Sequence, residues 1–556
     1  MSAIGLLLIG LGAFVLGYLL YSRFIVTRIY RLDPDFRTPA HEQRDDIDYV
    51  PTNRFVLWGH HFTSVAGAAP IVGPAIAVIW GWGPAFIWVI LGTIFIAGVH
   101  DLGAIWASVR HRAQSIGSLT GTLVGPQART LFMIVIFLLL LMVNAVFAVV
   151  IARLFVGFPE SVLPAWSAIV VALILGQLIR RRAIGLVWLS IFGVVALYAA
   201  IWLGQYVPVA LPDNVGGLGS NAQWIVILFT YAAIASLLPV WVLLQPRDYI
   251  NGLQLFIGLG LVFAAVLIAN PAVVAPAFNQ NLPEGVPPLI PMLFVTIACG
   301  AISGFHGLVA SGTTSKQLDR ETDARFVGYF GAVGEGCLAL AAIIACTAGF
   351  ATLGEWEDLY STFAGGGLEA FVEGGAAIMQ AGYGLPITVG TTLLAVMAVL
   401  FAATTMDTGI RLQRYIVQEW GNIHAIDWLT RKGPATALAV GCCLALAFGA
   451  GGAEGTGGLA IWPLFGTTNQ LLAALTLLVI SLLVVKLGRP PWFTLLPMIG
   501  LILMTVAALL FQLVDFYRQE NWFLLGMDLL ILVAAVLVAL ETAGALVRAR
   551  RREPES

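Results

Sequence analysis

Charged side chains are scarce in this sequence: Asp, Glu, Lys and Arg together make up 10% of its 556 residues. A soluble chain carries about a quarter of such residues, so this chain lacks the charge to cover a surface in water. The formal net charge of −2 gives no reason to expect a nucleic-acid partner. Apolar residues make up 59% of the chain and the mean hydropathy is +0.92, which predicts that a lipid bilayer surrounds most of the protein.

Cysteine is also rare. The five thiols belong to Cys299, Cys337, Cys346, Cys442 and Cys443. All five lie in apolar runs, and none has the CxxC or zinc-ligand spacing. We therefore expect reduced, buried side chains that pack as small hydrophobes, and neither a disulfide framework nor a cysteine metal site.

Apolar runs long enough to cross a bilayer occur throughout the chain. Crossing takes roughly 20 residues, since a helix rises about 1.5 Å per residue. The runs predict an all-α integral membrane protein with about fifteen spans. They lie at 3–22, 56–80, 84–108, 130–152, 162–179, 183–203, 222–244, 252–269, 288–311, 326–350, 383–405, 434–451, 459–485, 491–514 and 522–547.

The positions of Lys and Arg predict the orientation of these spans. If the loop 23–55 is cytoplasmic, all but two of the 28 Lys and Arg residues fall in cytoplasmic segments, as the positive-inside rule expects. The two exceptions are Arg153 and Arg518. Since no Lys or Arg precedes the first apolar run, residues 3–22 are expected to be a retained helix and not a signal peptide. This places the N-terminus outside and the C-terminus in the cytoplasm.

Two spans carry helix-breaking residues in similar positions. The span 56–80 contains SVAGAAPIVGP, and the span 222–244 runs into LPVWVLLQP. Broken backbone inside a membrane is tolerated where it lines protein or a cavity, and paired breaks in inverted halves are typical of a transporter's binding site. The alternative is a pair of proline-kinked helices that form no site.

Each interrupted span is followed by four ordinary ones, which predicts two five-helix repeats of opposite orientation at 56–203 and 222–405. The remaining segments are an N-terminal helix and loop at 1–55, a cytoplasmic linker at 406–433, and C-terminal helices with a basic tail at 434–556.

Each break is expected to expose the N-terminus of a half-helix near the membrane midplane, at about residues 70–71 and 240–241. Free amides and the positive end of the helix dipole favour an anion there. No Lys or Arg lies at that depth, so a small carboxylate would depend on these amides. The predicted substrate contacts are Ser64, Gly67, Ala68, Pro70, Ile71, Pro239, Trp241 and Gln245.

Several long motifs resemble the carbon starvation protein A family. They are GHHFTSVAGAAPIVGP at 59–74, QPRDY at 245–249, SGFH at 303–306, SGTTSK at 311–316, TMDT at 405–408 and PLFGTTNQ at 463–470. The resemblance implies a bacterial inner-membrane carrier, linked to pyruvate uptake with protons and to peptide uptake under carbon limitation. It also implies kinship with transporters of the amino acid–polyamine–organocation type.

That kinship predicts a five-plus-five inverted-repeat core, LeuT-like, with one extra N-terminal helix and about four extra C-terminal helices. In the architecture resembled, the third helix of the first repeat borders the central cavity. Asn144 lies mid-membrane on this helix, which makes it a substrate-contact candidate. Packing between helices is the competing interpretation.

Four ionisable side chains lie at matching predicted depths, His60 and His61 on the first interrupted span and His100 and Asp101 on the next. Buried histidine beside a carboxylate suits proton coupling, since its pKa is easily moved across neutrality. A structural hydrogen-bond cluster and a divalent metal held by these four residues are the alternatives. Metal binding is the least favoured of the three, and no cofactor is expected.

A second polar group lies near the cytoplasmic end of the span 288–311. It comprises His306, Ser311, Thr313 and Thr314. As in sodium-coupled relatives of this architecture, the hydroxyls could complete a cation site with carbonyls freed at the first break, or they could bond back to their own helix. No carboxylate lies in this stretch, which favours protons over sodium as the coupling ion. Glu335, deep in its own span, needs a partner or a proton.

Arg247, Asp248 and Asp407 are predicted to meet at the cytoplasmic surface. There they could form an inner gate by making and breaking ion pairs. A surface ion pair without a gating role is the alternative.

These patterns predict a secondary transporter that imports a small carboxylate, with pyruvate favoured, by cation symport and alternating access. A peptide or amino-acid carrier of the same fold, a channel and a non-transporting nutrient sensor are the alternatives. An enzyme is not expected. Asp407-Thr408-Gly409 resembles an aspartic protease triplet, but no second positioned carboxylate accompanies it, and HExxH and GxSxG are absent.

Overall fold

The computed structural model describes residues 2–46, 48–181, 185–363, 366–449, 452, 455 and 461–551. The predicted span ends at 183, 451 and 459 lie outside these residues, as do Arg182 and Arg552 of the predicted cytoplasmic set. Apolar sequence runs fold into helices because a helix satisfies its own backbone hydrogen bonds, which lipid cannot do. The all-α architecture predicted from composition is confirmed.

The helices are numbered here in chain order. They are α1 (Ala3–Tyr30), α2 (Arg54–Ala66), α3 (Ala69–Trp80), α4 (Trp82–Arg110), α5 (Ile116–Leu123), α6 (Pro126–Gly157), α7 (Pro159–Ile179), α8 (Val187–Gly204), α9 (Ser220–Leu237) and α10 (Leu244–Ala269). They continue with α11 (Leu289–Thr296), α12 (Gly304–Gly312), α13 (Glu321–Ala348), α14 (Leu353–Leu359), α15 (Leu368–Tyr383), α16 (Ile387–Ile423), α17 (Lys432–Gly449), α18 (Trp462–Lys486), α19 (Trp492–Arg518) and α20 (Trp522–Arg548). Two short strands, Asn214–Val215 and Leu218–Gly219, pair antiparallel before α9.

Among the described residues, thirteen helices are long and apolar enough to cross a membrane, and the bent pair α2–α3 can count as a fourteenth span. The fifteenth predicted span, 288–311, is divided into the two short helices α11 and α12. Within the described part of the chain, the structure therefore supports thirteen or fourteen of the fifteen predicted spans as helices that could cross a membrane, and the remaining one is not a continuous helix.

The first predicted interruption is present. Helices α2 and α3 meet at an angle of 45°, and Gly67 between them has φ +56°. A side chain at this position would be strained in that conformation and would also meet the ring of Phe147 at 2.8 Å. Glycine is therefore required for the break.

The second interruption is not where the sequence placed it, and this prediction was wrong. Residues 222–244 contain one regular helix, α9, followed by a turn that leads into the continuous helix α10. The interrupted helix of the second half is α11–α12, where Gly300 has φ +92° between the two segments. Proline at 239 marks a connection between helices, whereas glycine marks the actual break.

Packing between helices supports a different division of the repeats from the predicted one. The two longest helices, α6 and α16, pack against each other, and α9 and α17 pack against both and against one another. Helix α2 packs on α10 as α11 packs on α18, and α3 packs on α13 as α12 packs on α4. These contacts favour two corresponding sets of helices, α2–α3, α4, α6, α9 and α10, and α11–α12, α13, α16, α17 and α18. The hairpin α7–α8 is then an insertion, and α19 and α20 follow the core.

Candidate functional site

The first break is surrounded by threonines of α16. The Thr404 and Thr405 hydroxyls each donate to a carbonyl at the end of α2, those of Thr63 and Ser64, over 3.2 Å. The Thr408 hydroxyl lies 3.4 Å from that of Ser64. Thr404 and Thr405 therefore satisfy backbone carbonyls that the break leaves without helical partners, and Thr408 contacts the Ser64 side chain. None of the three was among the predicted site residues.

On the other side of the break, α3 begins at Ala69 with Ala68 as its N-cap, and no side-chain hydrogen bond caps it among the described residues. The predicted contacts Ser64, Gly67, Ala68, Pro70 and Ile71 are all buried here. The structure therefore brings this half of the predicted substrate site together, at a half-helix N-terminus whose dipole favours an anion.

The other half of the predicted substrate site lies elsewhere. Pro239 is exposed, and Trp241 and Gln245 are half-buried in or just after the turn between α9 and α10. The Gln245 amide donates to Gln317 Oε1 over 2.7 Å. Because this turn joins two complete helices, it does not form the second half-helix N-terminus that was predicted.

Two arginines of α16 explain why the chain can turn at this point. Arg411 donates to the carbonyls of Ala235 and Leu238, over 3.0 and 2.7 Å. Arg414 donates to the carbonyl of Ser236 over 2.5 Å. Cations that bind the last carbonyls of a helix stabilise its C-terminus, so α9 ends in a fully capped connection.

The N-terminus at the second break is also capped. Asn469 of α18 accepts the backbone N–H of Phe305 over 2.9 Å and the Ser303 hydroxyl over 3.1 Å. Its amide group lies 3.1 Å from the Cys299 sulfur. Asn469 thus occupies the position at the start of α12 that an anion would otherwise take.

The four ionisable residues predicted to meet are divided between three sites. His60 pairs with Asp248 of α10, with 2.7 Å between Nδ1 and Oδ2. The Ser64 hydroxyl donates to the same carboxylate oxygen over 3.1 Å. This pair joins α2, next to the first break, to α10.

His100 and Asp101 belong to a different group, which also contains His306 and Glu335. The Nδ1 atoms of His100 and His306 lie 2.8 Å from the two carboxylate oxygens of Asp101. His306 Nε2 lies 3.1 Å from Glu335 Oε2. All four side chains are buried. This provides the partner of Glu335 that the sequence could not identify, and we call the group the α4–α12–α13 cluster.

His61 contacts Thr314, with 2.9 Å between Nδ1 and Oγ1. Ser311 and Thr313 donate to carbonyls of their own helix, those of Gly307 and Val309, over 2.7 and 3.1 Å. These two hydroxyls thus make the bonds to their own chain that were the stated alternative to a cation site. Among the described residues, no group of three or more His, Cys, Asp and Glu side chains has metal-binding geometry.

The predicted gate is only partly assembled, and it is not at the surface. Arg247 and Asp407 form a direct ion pair, and each side chain is only 2% exposed. Tyr231 donates to Asp407 over 2.8 Å and accepts from Arg247 over 2.7 Å. Asp248 binds His60 instead. The pair is a buried link between α10 and α16, because both helices extend further across the protein than predicted.

Asn144 lies between α6 and α16, where its amide donates to Gln413 Oε1 over 3.0 Å. Gln413 Oε1 also accepts from the Cys443 thiol, at 3.1 Å, on α17. The contacts of Asn144 are those of a residue packed between helices.

Two cavities lie on opposite sides of the first break. One has a volume of 160 Å³ and lies beyond α3, near the C-terminal end of α6. The other has a volume of 240 Å³ and lies beside α12, near the middle of α6. Phe147, which packs against Gly67, lies on α6 between the residues that line the two cavities. The break is thus closed, with a cavity on either side.

Paired interrupted helices, buried ionisable residues and cavities at both ends of the core are features of an α-helical membrane transporter, and this is the class to which the protein belongs. The family model for carbon starvation protein CstA matches residues 2–359 and 352–508. The chain belongs to this family.

Named relatives are identical to this chain at just under a third of the aligned positions. The peptide transporter CstA of Campylobacter jejuni is 32% identical, over 91% of this chain and 79% of its own. The pyruvate/proton symporter BtsT of Escherichia coli is 31% identical, over 94% of this chain and 83% of its own. Among solved structures, the Eremococcus coleocola manganese transporter is similar with a TM-score of 0.48 and 13% identity, over 91% of this chain and 99% of its own.

Proposed function

We propose that this protein imports a small carboxylate, with pyruvate the favoured substrate, together with protons by alternating access. The observation that carries the proposal is the contact between His306 and Glu335 in the α4–α12–α13 cluster.

Both oxygens of an ionised Asp101 accept, so the Nδ1 atoms of His100 and His306 must both carry protons. His306 Nε2 then faces Glu335 Oε2, and one proton between these two atoms makes the contact favourable. The proton can reside on His306 as imidazolium or on Glu335 as carboxylic acid. Without it, a nitrogen lone pair would face a carboxylate, and in a buried site two facing acceptors repel each other.

This proton links helices that can move relative to each other. His306 lies on α12, the inner segment of an interrupted helix, whereas Asp101 and Glu335 lie on the continuous helices α4 and α13. Binding the proton holds α12 against both helices, and losing it weakens that contact. Protonation would thus bias the position of the segment that borders the inner cavity.

The first break offers the matching site for the anion. Its half-helix N-terminus is buried and uncapped, and Lys and Arg do not occur among residues 59–81. An anion at these amides and a proton at the cluster would enter together, since each offsets the charge that the other brings into a low dielectric.

The names of the relatives support a carrier but give different substrates. One is named as a pyruvate/proton symporter and another as a peptide transporter. A single uncapped helix terminus favours a carboxylate group. The buried carboxylate beside this terminus, Asp248, is already paired with His60, which favours a monocarboxylate over a zwitterion. Peptide or amino-acid transport is therefore the second candidate.

Uptake of labelled pyruvate into proteoliposomes with an imposed pH gradient tests the proposal. We expect transient accumulation that a protonophore abolishes and that does not change when sodium is replaced by choline. Competition by excess dipeptide would instead support the second candidate. No accumulation of pyruvate at any gradient would refute the proposal.

A further inference from the structure

Arg153 is one of the two basic residues that the positive-inside pattern places outside. It is exposed and lines the cavity beyond α3. Val72 of α3, Leu154 of α6 and Trp462 of α18 line the same cavity, so Arg153 borders a mostly apolar space. Glu369, at the start of α15, is the acidic residue of this lining.

The lining of the cavity beside α12 also contains one basic and one acidic residue. Lys316 is its basic residue and Glu419 its acidic one. The Lys316 ammonium lies 5.5 and 5.4 Å from the rings of Tyr49 and Tyr415, which holds the cation in the cavity through cation–π contacts.

The two cavities are built from corresponding elements. Each is lined by one segment of an interrupted helix, α3 or α12, and by a short helix, α15 or α5. Each also uses a long helix of the α6–α16 pair. Leu140 lines one cavity and Val150 the other, so about 15 Å of α6 separates them, at 1.5 Å per residue.

We propose that Arg153 and Lys316 are paired recruitment residues, which bind the carboxylate of the substrate at the two ends of its path. This inference rests on the proposed function. Arg153 captures the anion from outside before it reaches the amides of α3, and Lys316 receives it on the cytoplasmic side. An arginine can bind a carboxylate through two parallel hydrogen bonds, while the apolar walls accommodate the rest of a small acid.

The position of these residues determines which step they affect. A charge at the mouth of a cavity raises the local concentration of the oppositely charged ligand, and its effect weakens with salt. It does not change the equilibrium between substrate inside and outside. Replacing either residue should therefore alter the apparent KM from one side and leave the final accumulation unchanged.

The test compares Arg153→Gln with Arg518→Gln, which removes the other predicted extracellular basic residue. Arg518 is exposed at the end of α19, away from both cavities. In right-side-out vesicles we expect the Arg153 variant to raise the apparent KM for pyruvate about tenfold, equivalent to about 1.4 kcal/mol. The Arg518 variant should match the wild type. The rise of KM with ionic strength should be smaller in the Arg153 variant than in the wild type or the Arg518 variant.

Inverted vesicles provide the reciprocal measurement. Lys316→Gln should raise the apparent KM there and leave the KM in right-side-out vesicles unchanged. Glu369→Gln should lower the KM for pyruvate, since it removes a like charge, and a rise would contradict recruitment of a simple anion.

The inference is overturned if Arg153→Gln and Arg518→Gln have the same KM and the same salt dependence while both accumulate pyruvate. That result leaves the proposed function intact. Failure of the wild type to accumulate pyruvate is a different outcome, which refutes the proposed function and this inference with it.

Discussion

Replacing Asp101 with asparagine keeps the shape of the side chain and removes its charge. Asp101 accepts from two histidine Nδ1 atoms at 2.8 Å, whereas asparagine has one acceptor oxygen and turns an NH₂ group toward the other histidine. One buried donor is then unsatisfied, which costs about 1–3 kcal/mol. This is less than the stability of about 5–15 kcal/mol that is usual for folded proteins, so the variant should fold.

The effect on transport should be larger than the effect on stability. With Asp101 ionised, its charge favours a proton between His306 and Glu335, and the neutral amide no longer does so. If one proton accompanies each pyruvate anion, one unit of pH gradient supports about tenfold accumulation, since it corresponds to about 1.4 kcal/mol per proton. We expect Asp101→Asn to lower this ratio to about one while pyruvate exchange across the membrane continues.

The assay measures both quantities in proteoliposomes, accumulation under an imposed pH gradient and counterflow without one. Asp528→Asn is the matched control, because Asp528 is also a fully buried aspartate in a membrane helix but lies on α20, outside the core. Full accumulation in the Asp101 variant would refute the coupling argument. Equal loss in the Asp528 variant would show that any buried carboxylate is equally sensitive.

Three further predictions concern stability, measured as thermal unfolding in detergent. Arg247→Gln should destabilise the protein by about 3–5 kcal/mol, because it leaves Asp407 buried without its cation, and adding Asp407→Asn should recover most of the loss; no recovery would show that the charge is not the cause. Asn469→Ala should cost about 0.5–2 kcal/mol by removing the cap of α12, and an unchanged midpoint would contradict that role. Gly67→Ala should destabilise through its positive φ and its contact with Phe147, whereas Gly441→Ala, with open space around it, should not.

The sequence predicted the helices well, because an apolar run of the right length has only one stable form in lipid. It also predicted the break at Gly67, where glycine and proline occur together within one span. The second break was missed because Gly300 lies in an apolar run without a nearby proline, whereas the Pro239 turn carries a stronger breaker signal. A proline shows that a helix cannot continue, but not whether the chain stops inside or outside the membrane.

The side-chain clusters were predicted less well, since depth is only one of the coordinates that decide a contact. His60 and Asp101 lie at similar depths, yet His60 faces Asp248 and Asp101 faces His306. Which way a side chain points depends on the rotation of its helix and on the neighbouring helix. Both depend on packing, and residues from distant parts of the chain, such as Glu335 and His306, meet only after the helices have assembled.

The two breaks are related by the repeat but differ in what they can bind. At the first, Ala68 offers no side chain to the start of α3, while at the second, Asn469 fills the same position on α12. A site for a zwitterion would also need an unpaired buried carboxylate beside the open terminus, and Asp248, the carboxylate next to the first break, is paired with His60. If the proposed function holds, capping one terminus from α18 directs the anion to the other, and α12 carries His306 of the proton-binding cluster. Under the proposed function, the substrate binds at one interrupted helix and the coupling proton at the other, so a protein built from two similar halves would need only one anion site.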